Sequence, residues 1–315
     1  VIESQRSQRS DPLRTAAELL EEATSSLGSV TEARWIVETA TRWDGSRLHS
    51  PSELRRDVSR SVAEEIDRMV RRRRGGEPLQ YVLGTWAFRD LEIRVDPRVL
   101  VPRPETEQVV GFALEELRGA SERSASSGRG RRVVAVDLGT GSGVIALSIA
   151  LEASLGNDRP LEVWATDFSG DALAVARTNL ETLGARRPEV AARVRLRLGS
   201  WFDALPSRLR GEIQLVVSNP PYVSASEWES LDPVVREHEP AHALVAGETG
   251  REVLELLVSE APRWLAPMGA LVLELAPSQA RSIADKAAAS GFDEVMVLPD
   301  LSGRPRALIA RRGVG

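Results

Sequence analysis

Residues 133–143 read Val133-Val134-Ala135-Val136-Asp137-Leu138-Gly139-Thr140-Gly141-Ser142-Gly143, an apolar run that passes through three alternating glycines. A short β-branched run ending in glycines is the pattern of a strand buried on both faces. The glycines make a tight turn and admit a ligand close to the backbone, because none carries a Cβ. The apolar pattern resumes at helical spacing from about 143 to 154. Free N–H groups at the start of that helix favour a negative group such as a carboxylate. By itself such a turn serves nucleotide binding and mere tight packing equally well.

Outward from this turn the chain keeps alternating. Further strands are expected at Glu162–Thr166, Val194–Leu198, Ile213–Ser218, Ala270–Leu275, Glu294–Leu298 and Ala307–Arg311, with helices near 170–183, 249–265 and 278–290. Strands separated by helices predict an α/β domain with a parallel sheet covered on both faces. Residues 11–75 instead carry apolar positions at helical spacing (Leu13, Ala16, Ala17, Leu19, Leu20; then Ala33, Ile36, Val37, Ala40). Gly28, Gly45 and Pro51 divide this region into short helices, and the last runs into Arg71–Arg74 before Gly75 and Gly76. Those arginines read either as a solvated helix end favoured by the helix dipole or as a partner-facing surface. Residues 79–101, with Tyr81, Val82, Leu83, Trp86, Phe88, Leu91, Ile93 and Val95, predict a hairpin linking two domains. A helix is expected after Pro102 and Pro104, and the Ser/Arg/Gly-rich stretch Gly119–Arg132 reads as a loop. The expected layout is a helical domain at 1–78, a hairpin linker at 79–101 and an α/β domain at 102–315.

Composition narrows the functional classes. With 41 Lys+Arg against 46 Asp+Glu the net charge is −5, so no overall positive field draws the chain onto nucleic acid or anionic membrane. No cysteine is present, which removes disulfides, thiolate metal sites and thiol catalysis. No apolar run approaches the roughly 18 residues of a membrane-spanning helix. Val1–Asp11 is polar rather than signal-like, so a soluble cytoplasmic protein is expected.

Chemistry enters at the strand ends. The second strand closes on Asp167, an acceptor placed to take both hydroxyls of a ribose. Dinucleotide enzymes share that layout but space their glycines as GxGxxG; the order here, Asp137 then Gly139, Gly141 and Gly143, resembles the first motif of the Rossmann-like methyltransferases. The cofactor so implied is S-adenosylmethionine, rather than a nicotinamide or flavin. After the third strand, Trp201 in Gly199-Ser200-Trp201-Phe202 either packs on adenine or is a core tryptophan. The fourth strand ends in Ser218-Asn219-Pro220-Pro221-Tyr222. Consecutive prolines cannot continue a sheet and make a rigid turn that presents carbonyls at the strand's C-terminal edge. The Asn219 side-chain oxygen and the Pro220 carbonyl could then hold both N–H groups of a planar amide or amine, with Tyr222 walling one face. His238-Glu239-Pro240-Ala241-His242 matches HExxH, but Pro240 breaks the helix that a zinc site needs, so no metal is expected.

Three further segments name the family. Val99-Leu100-Val101-Pro102-Arg103-Pro104-Glu105-Thr106-Glu107, the run Glu239–Gly250 and Gly76-Glu77-Pro78-Leu79-Gln80-Tyr81, together with the Asn-Pro-Pro-Tyr element, closely resemble the peptide chain release factor glutamine methyltransferases. The resemblance implies an N-terminal helical bundle that docks the release factor and a seven-stranded Rossmann-like methyltransferase domain. It implies methylation of the side-chain amide of the glutamine in the GGQ motif of bacterial class I release factors. A ribosomal-protein glutamine or an exocyclic base amine is the alternative substrate; a DNA enzyme would carry a basic recognition region. Carried over by motif, cofactor contacts fall on Gly139, Thr140, Gly141, Ser142, Gly143, Asp167, Trp201 and Asn219, and catalysis and substrate binding on Asn219, Pro220, Pro221 and Tyr222. Arg103–Glu107 should border the same pocket. A monomer without direct nucleic acid contact is expected. Two positions depart from the family pattern: Ser200 where an acidic residue is common, and Ala276 where glycine is usual. The stretch 119–132 also looks longer than the family needs.

Overall fold

A computed structural model describes residues 13–41, 50–126, 132–153 and 160–314. The segment Val1–Asp11 and the residues Gly45 and His49 lie outside these. The chain divides into two units, Val1–Gly84 and Thr85–Gly315.

The first unit contains α1 (Ala16–Leu27), α2 (Val30–Thr41), α3 (Pro51–Leu54), α4 (Arg60–Arg74) and α5 (Leu79–Leu83). Helix α1 starts on a capping box, in which Thr15 accepts from the Glu18 amide and Glu18 accepts from the Thr15 amide, and it ends on left-handed Gly28. Leu19, Ile36, Val37, Ile66 and Met69 close a core of their own, joined by Leu79 and Val82. These last two correct the expected hairpin at 79–101. Leu79, Val82 and Leu83 stand at helical spacing behind Pro78 and pack into the helical core, and left-handed Gly84 ends the turn. Strands begin only at Thr85.

The arginine run fits neither of its two readings as a whole. Arg72 binds Glu77 at 2.5 Å and the Tyr81 carbonyl at 3.0 Å. Arg73 binds Glu32 of α2 at 2.7 Å and the Glu77 carbonyl at 3.1 Å. These two fasten the end of α4 to its neighbours, although Arg72 is exposed, as are Arg71 and Arg74.

The second unit opens with the hairpin β1 (Thr85–Phe88) and β2 (Leu91–Arg94), closed by a two-residue turn at Arg89-Asp90. Then come α6 (Pro104–Ser126), β3 (Val133–Leu138), α7 (Val144–Glu152), β4 (Leu161–Asp167), α8 (Gly170–Arg186), α9 (Pro188–Ala191), β5 (Val194–Leu198), β6 (Ile213–Ser218), β7 (Val223–Ser224), α10 (Ala225–Trp228), α11 (Pro233–His238), β8 (Val245–Gly247), α12 (Glu252–Glu260), β9 (Leu265–Glu274), α13 (Ala280–Ala289), β10 (Glu294–Pro299) and β11 (Pro305–Arg311). Helix α6 overruns the loop expected at Gly119–Arg132. Small Ala120 and Ser121 are buried, and Arg123 donates to the Met268 carbonyl at 3.3 Å, so a sparsely apolar stretch still has a packed face. Residues 127–131 lie outside the described part.

Seven strands form one sheet in the order β10-β11-β9-β6-β3-β4-β5. Strands β3, β4 and β6 are buried along their whole length, as their largely apolar runs suggest. The sheet is mixed rather than fully parallel, because β11 pairs antiparallel with both β10 and β9. Five residues separate β10 from β11, too few for the crossover that a parallel pair needs. From β3 the chain moves outward through β4 and β5, then returns to place β6 on the other side of β3. The order therefore reverses between β3 and β6, and a crevice opens beyond their C-terminal ends.

Candidate active site

Two chain segments leave the sheet at this reversal: the glycine turn after β3 and the proline turn after β6. Ser218 Oγ ties them, donating to the Leu138 carbonyl at 2.6 Å. In the glycine turn, Gly139, Gly141 and Gly143 take φ of 72°, 54° and 89°, a region that costs a side-chain-bearing residue strain. The amides of Gly139 and Thr140 both donate to the Thr166 carbonyl of β4 at 2.9 Å, and the Gly143 amide to Thr140 at 2.8 Å. Asp137 braces the turn from below. Its Oδ2 accepts from Thr140 Oγ1 at 2.5 Å and from the Ala146 amide of α7 at 3.1 Å. Complete burial pushes this carboxyl up to about 7 against those two hydrogen bonds, with nearby Asp167 raising it further. Several amides expected to be free for a ligand are thus committed to the protein.

Asp167 ends β4 with both oxygens engaged, Oδ2 by the Gly141 amide and Oδ1 by the Ser169 amide, each at 2.9 Å. Burial raises its pKa while these bonds oppose the shift. Each carboxylate oxygen retains accepting capacity for a second partner. Trp201 follows β5 with φ 44°, an unusual conformation for so large a residue, costing on the order of 1–3 kcal/mol. It lies against the turn: a Cβ added to Gly139 would stand 3.2 Å from the Trp201 ring. Ser200 beside it is exposed and does not line the crevice.

Across the crevice, Asn219 Nδ2 donates to Thr106 Oγ1 at 3.1 Å, and Thr106 Oγ1 donates to Glu274 Oε2 at 2.7 Å. Glu274, at the end of β9, is 1% exposed, and burial pushes its carboxyl up to about 7. The Tyr222 hydroxyl donates to its other oxygen at 3.4 Å. The Tyr222 carbonyl accepts from Gln279 Nε2 at 2.8 Å, so the proline turn is held at its far end as well.

The crevice between the two turns has a mainly apolar lining and is open to solvent. Of the residues predicted from sequence, Gly139, Thr140, Gly141, Ser142, Asp167, Trp201, Asn219 and Pro221 line it. Gly143, Pro220 and Tyr222 do not. Gly143 packs against Ala176, Pro220 is buried, and Tyr222 leans on the hydrophobic core. Within Arg103–Glu107 only Thr106 reaches the crevice. Arg103 instead pairs with buried Glu239 at 2.5 Å, and Glu239 also accepts from the Val101 amide at 3.0 Å. Val99, Leu100, Phe168, Ala172 and His242 line the crevice without having been anticipated. Phe168 and His242 meet edge to face at 5.2 Å. Val99, Leu100 and His242 lie in the segments that carry the family resemblance, and Phe168 stands next to the strand-end acid.

S-adenosylmethionine suits this lining. A Cβ added to Gly141 would meet nothing within 4 Å, so the turn leaves open space at the crevice. Apolar Val144, Ile145 and Ala172 offer an apolar bed, with Asp167 and Asn219 as polar points at its margins. The HExxH letters make no comparable site. Helix α11 ends at His238, Glu239 is extended, and His242 falls in a separate short turn, so the histidines do not share a helical face.

Comparison with known proteins agrees with this geometry. Residues 11–84 match the PrmC N-terminal domain model, and residues 125–238 match the methyltransferase small domain model. The chain is 39% identical over 247 residues to a release factor glutamine methyltransferase of Streptomyces coelicolor, covering 78% of this chain and 80% of that protein. It is 34% identical over 283 residues to one from Synechocystis, covering 89% of each. A solved release-factor-specific protein-(glutamine-N5) methyltransferase from Alicyclobacillus acidocaldarius is 27% identical, with a TM-score of 0.38, over 70% of this chain and 99% of that one. Identity at this level, sustained across both the helical unit and the sheet that bears the crevice, means that the chain belongs to the release factor glutamine methyltransferase family.

Proposed function

We propose that this enzyme methylates the side-chain amide nitrogen of the glutamine in the GGQ motif of bacterial class I release factors, using S-adenosylmethionine. The observation that carries this reading is the one-sided commitment of Asn219. Its Nδ2 is spent on Thr106 at 3.1 Å, which leaves Oδ1 as an oriented acceptor beside the glycine turn. A carboxamide offers two N–H donors, and Oδ1 would take one of them.

Bound in the crevice, S-adenosylmethionine supplies a methyl group made electrophilic by the adjacent sulfonium and departs as S-adenosylhomocysteine. The protein's part is binding and aim. Asp167 would accept from the ribose hydroxyls, Trp201 would pack on the adenine, and the open face of the glycine turn would pass the remaining chain. Asn219 would hold the amide so that its nitrogen faces the methyl carbon, while buried Pro220, with Pro221 and Tyr222, keeps the turn rigid. The N–C bond forms as the S–C bond breaks, and the nitrogen, made strongly acidic by methylation, loses its proton to water, so orientation and fixed dipoles replace a strong base. The same reading gives substrate recognition to the N-terminal helical unit and has a monomer working in the cytoplasm, without direct nucleic acid contact.

The test is methyl transfer from labelled cofactor to purified release factor, to its glutamine-to-alanine variant and to duplex DNA. Label should appear on the intact release factor alone, with the added mass on the GGQ glutamine. Equal labelling of the alanine variant, or labelling of DNA, would refute the reading.

A further inference from the structure

We infer that Thr106 and Glu274 are positioning residues for methyl transfer, acting through Asn219 by dictating which end of its amide faces the crevice. This rests on the glutamine reading above. Thr106 has a single hydroxyl proton and stands 2.7 Å from Glu274 Oε2 and 3.1 Å from Asn219 Nδ2. Above about pH 7 Glu274 is ionised and its carboxylate only accepts, so there the hydroxyl proton goes to Glu274 and a lone pair is left for Asn219. Only the NH2 end of the asparagine can fill it. The orientation of Asn219 is therefore imposed from behind, by two groups that are 2% and 1% exposed.

The chain joins three separate elements: the first turn of α6, the end of β9 and the end of β6. Glu274 also holds Tyr222 through its second oxygen, so one carboxylate steadies two residues of the segment 219–222. A buried carboxylate is a poor choice for stability, since a well-packed apolar residue of similar volume is often at least as favourable. Arg306 and Glu105 are near enough to act on its charge in opposite senses, and Arg306 lies on the neighbouring strand β11. Such a group, pushed from its ordinary range by burial and placed behind a reactive turn, fits a functional role.

Two measurements on the full-length enzyme test this. The chain has three asparagines, so selective 15N-asparagine labelling gives three side-chain amide pairs, and Asn219→Ala assigns one of them. Thr106→Val fills the same space without a hydroxyl and should move the Asn219 signals; it should also lower kcat by roughly 10- to 100-fold, the scale of a misplaced reacting group. The cofactor Kd should stay where it is. Thr106→Ser should restore both the signal positions and most of kcat; Thr106→Ala stands in if the valine variant does not fold. Unmoved Asn219 signals, wild-type kcat in Thr106→Val, a loss in Thr106→Ser equal to that in Thr106→Val, or a loss confined to cofactor binding would each overturn the inference. If the wild-type enzyme leaves release factor unlabelled, the glutamine reading fails by itself, and the amide spectrum still decides whether Thr106 orients Asn219.

Discussion

Asn219 stands at the crevice and outside the hydrophobic core, so its removal should separate catalysis from folding. Asn219→Ala should retain a wild-type melting temperature within a degree or two (roughly, for a residue outside the core) and lose on the order of 10²-fold in turnover. Turnover near wild type in a single-turnover assay would count against it. Asp167 has two tasks, because its oxygens hold the Gly141 and Ser169 amides as well as facing the crevice. Asp167→Ala should weaken cofactor binding by about 1–3 kcal/mol and also lower the melting temperature; an unchanged Kd by calorimetry would exclude the ribose role. The buried acids Asp137 and Glu274 predict a pH dependence of stability. Burial raises both carboxyls well above the ordinary carboxylate range, to about 7 in the fold. The native state therefore keeps protons that the unfolded chain releases, and stability is full at low pH and falls as pH rises through about 7. Each group contributes a slope of up to about 1.4 kcal/mol per pH unit. Urea unfolding at pH 5 and pH 8 should show the decline, and Asp137→Asn should flatten it.

Between residues and domains, the elements at the crevice are fastened by buried polar side chains rather than by packing alone. Asn179 of α8 accepts from the Arg94 amide at 2.7 Å and donates to the Arg94 and Ser142 carbonyls at 3.1 and 2.9 Å. One side chain thus joins the hairpin to the glycine turn. Asn179→Ala should cost about 1–3 kcal/mol in urea unfolding by stranding these backbone groups, and should weaken cofactor binding although Asn179 does not line the crevice. Loss of neither stability nor affinity would show that the turn is held without it. Arg89, at the hairpin tip with φ 50°, is fixed likewise: it pairs with Glu152 at the end of α7 and donates to the Glu107 carbonyl at 2.8 Å. The hairpin therefore belongs to the sheet-bearing unit as an element in its own right, although its alternating apolar residues read as a link.

At the scale of the whole molecule, the helical unit and the sheet-bearing unit close separate hydrophobic cores. Among the described residues, the crevice is lined only by those from Arg98 onward. A chain beginning at Thr85 should therefore bind S-adenosylmethionine with wild-type affinity and lose most of its efficiency on release factor. Full efficiency after truncation would take substrate recognition away from the helical unit.

Much of the crevice lining was legible because its parts are local. A ligand at a strand end needs glycines, an acid or an aromatic within a few residues of that strand, so 139–142, 167 and 201 could be read one segment at a time. Asn219 was legible for the same reason, since two prolines mark where β6 must stop. The seven strands followed from alternating apolar runs, whereas the reversal of β11 and the helical ends at 79–83 and 119–126 depended on what each segment packs against. Thr106 and Glu274 carry no local mark at all, being 168 positions apart and ordinary in composition. Sequence alone determined which turns could meet a ligand, because backbone shape and hydrogen-bonding capacity reside in neighbouring residues. Which way Asn219 faces was decided only by tertiary structure, because a hydrogen bond is directional and its partners come together only once β6, β9 and α6 are packed side by side.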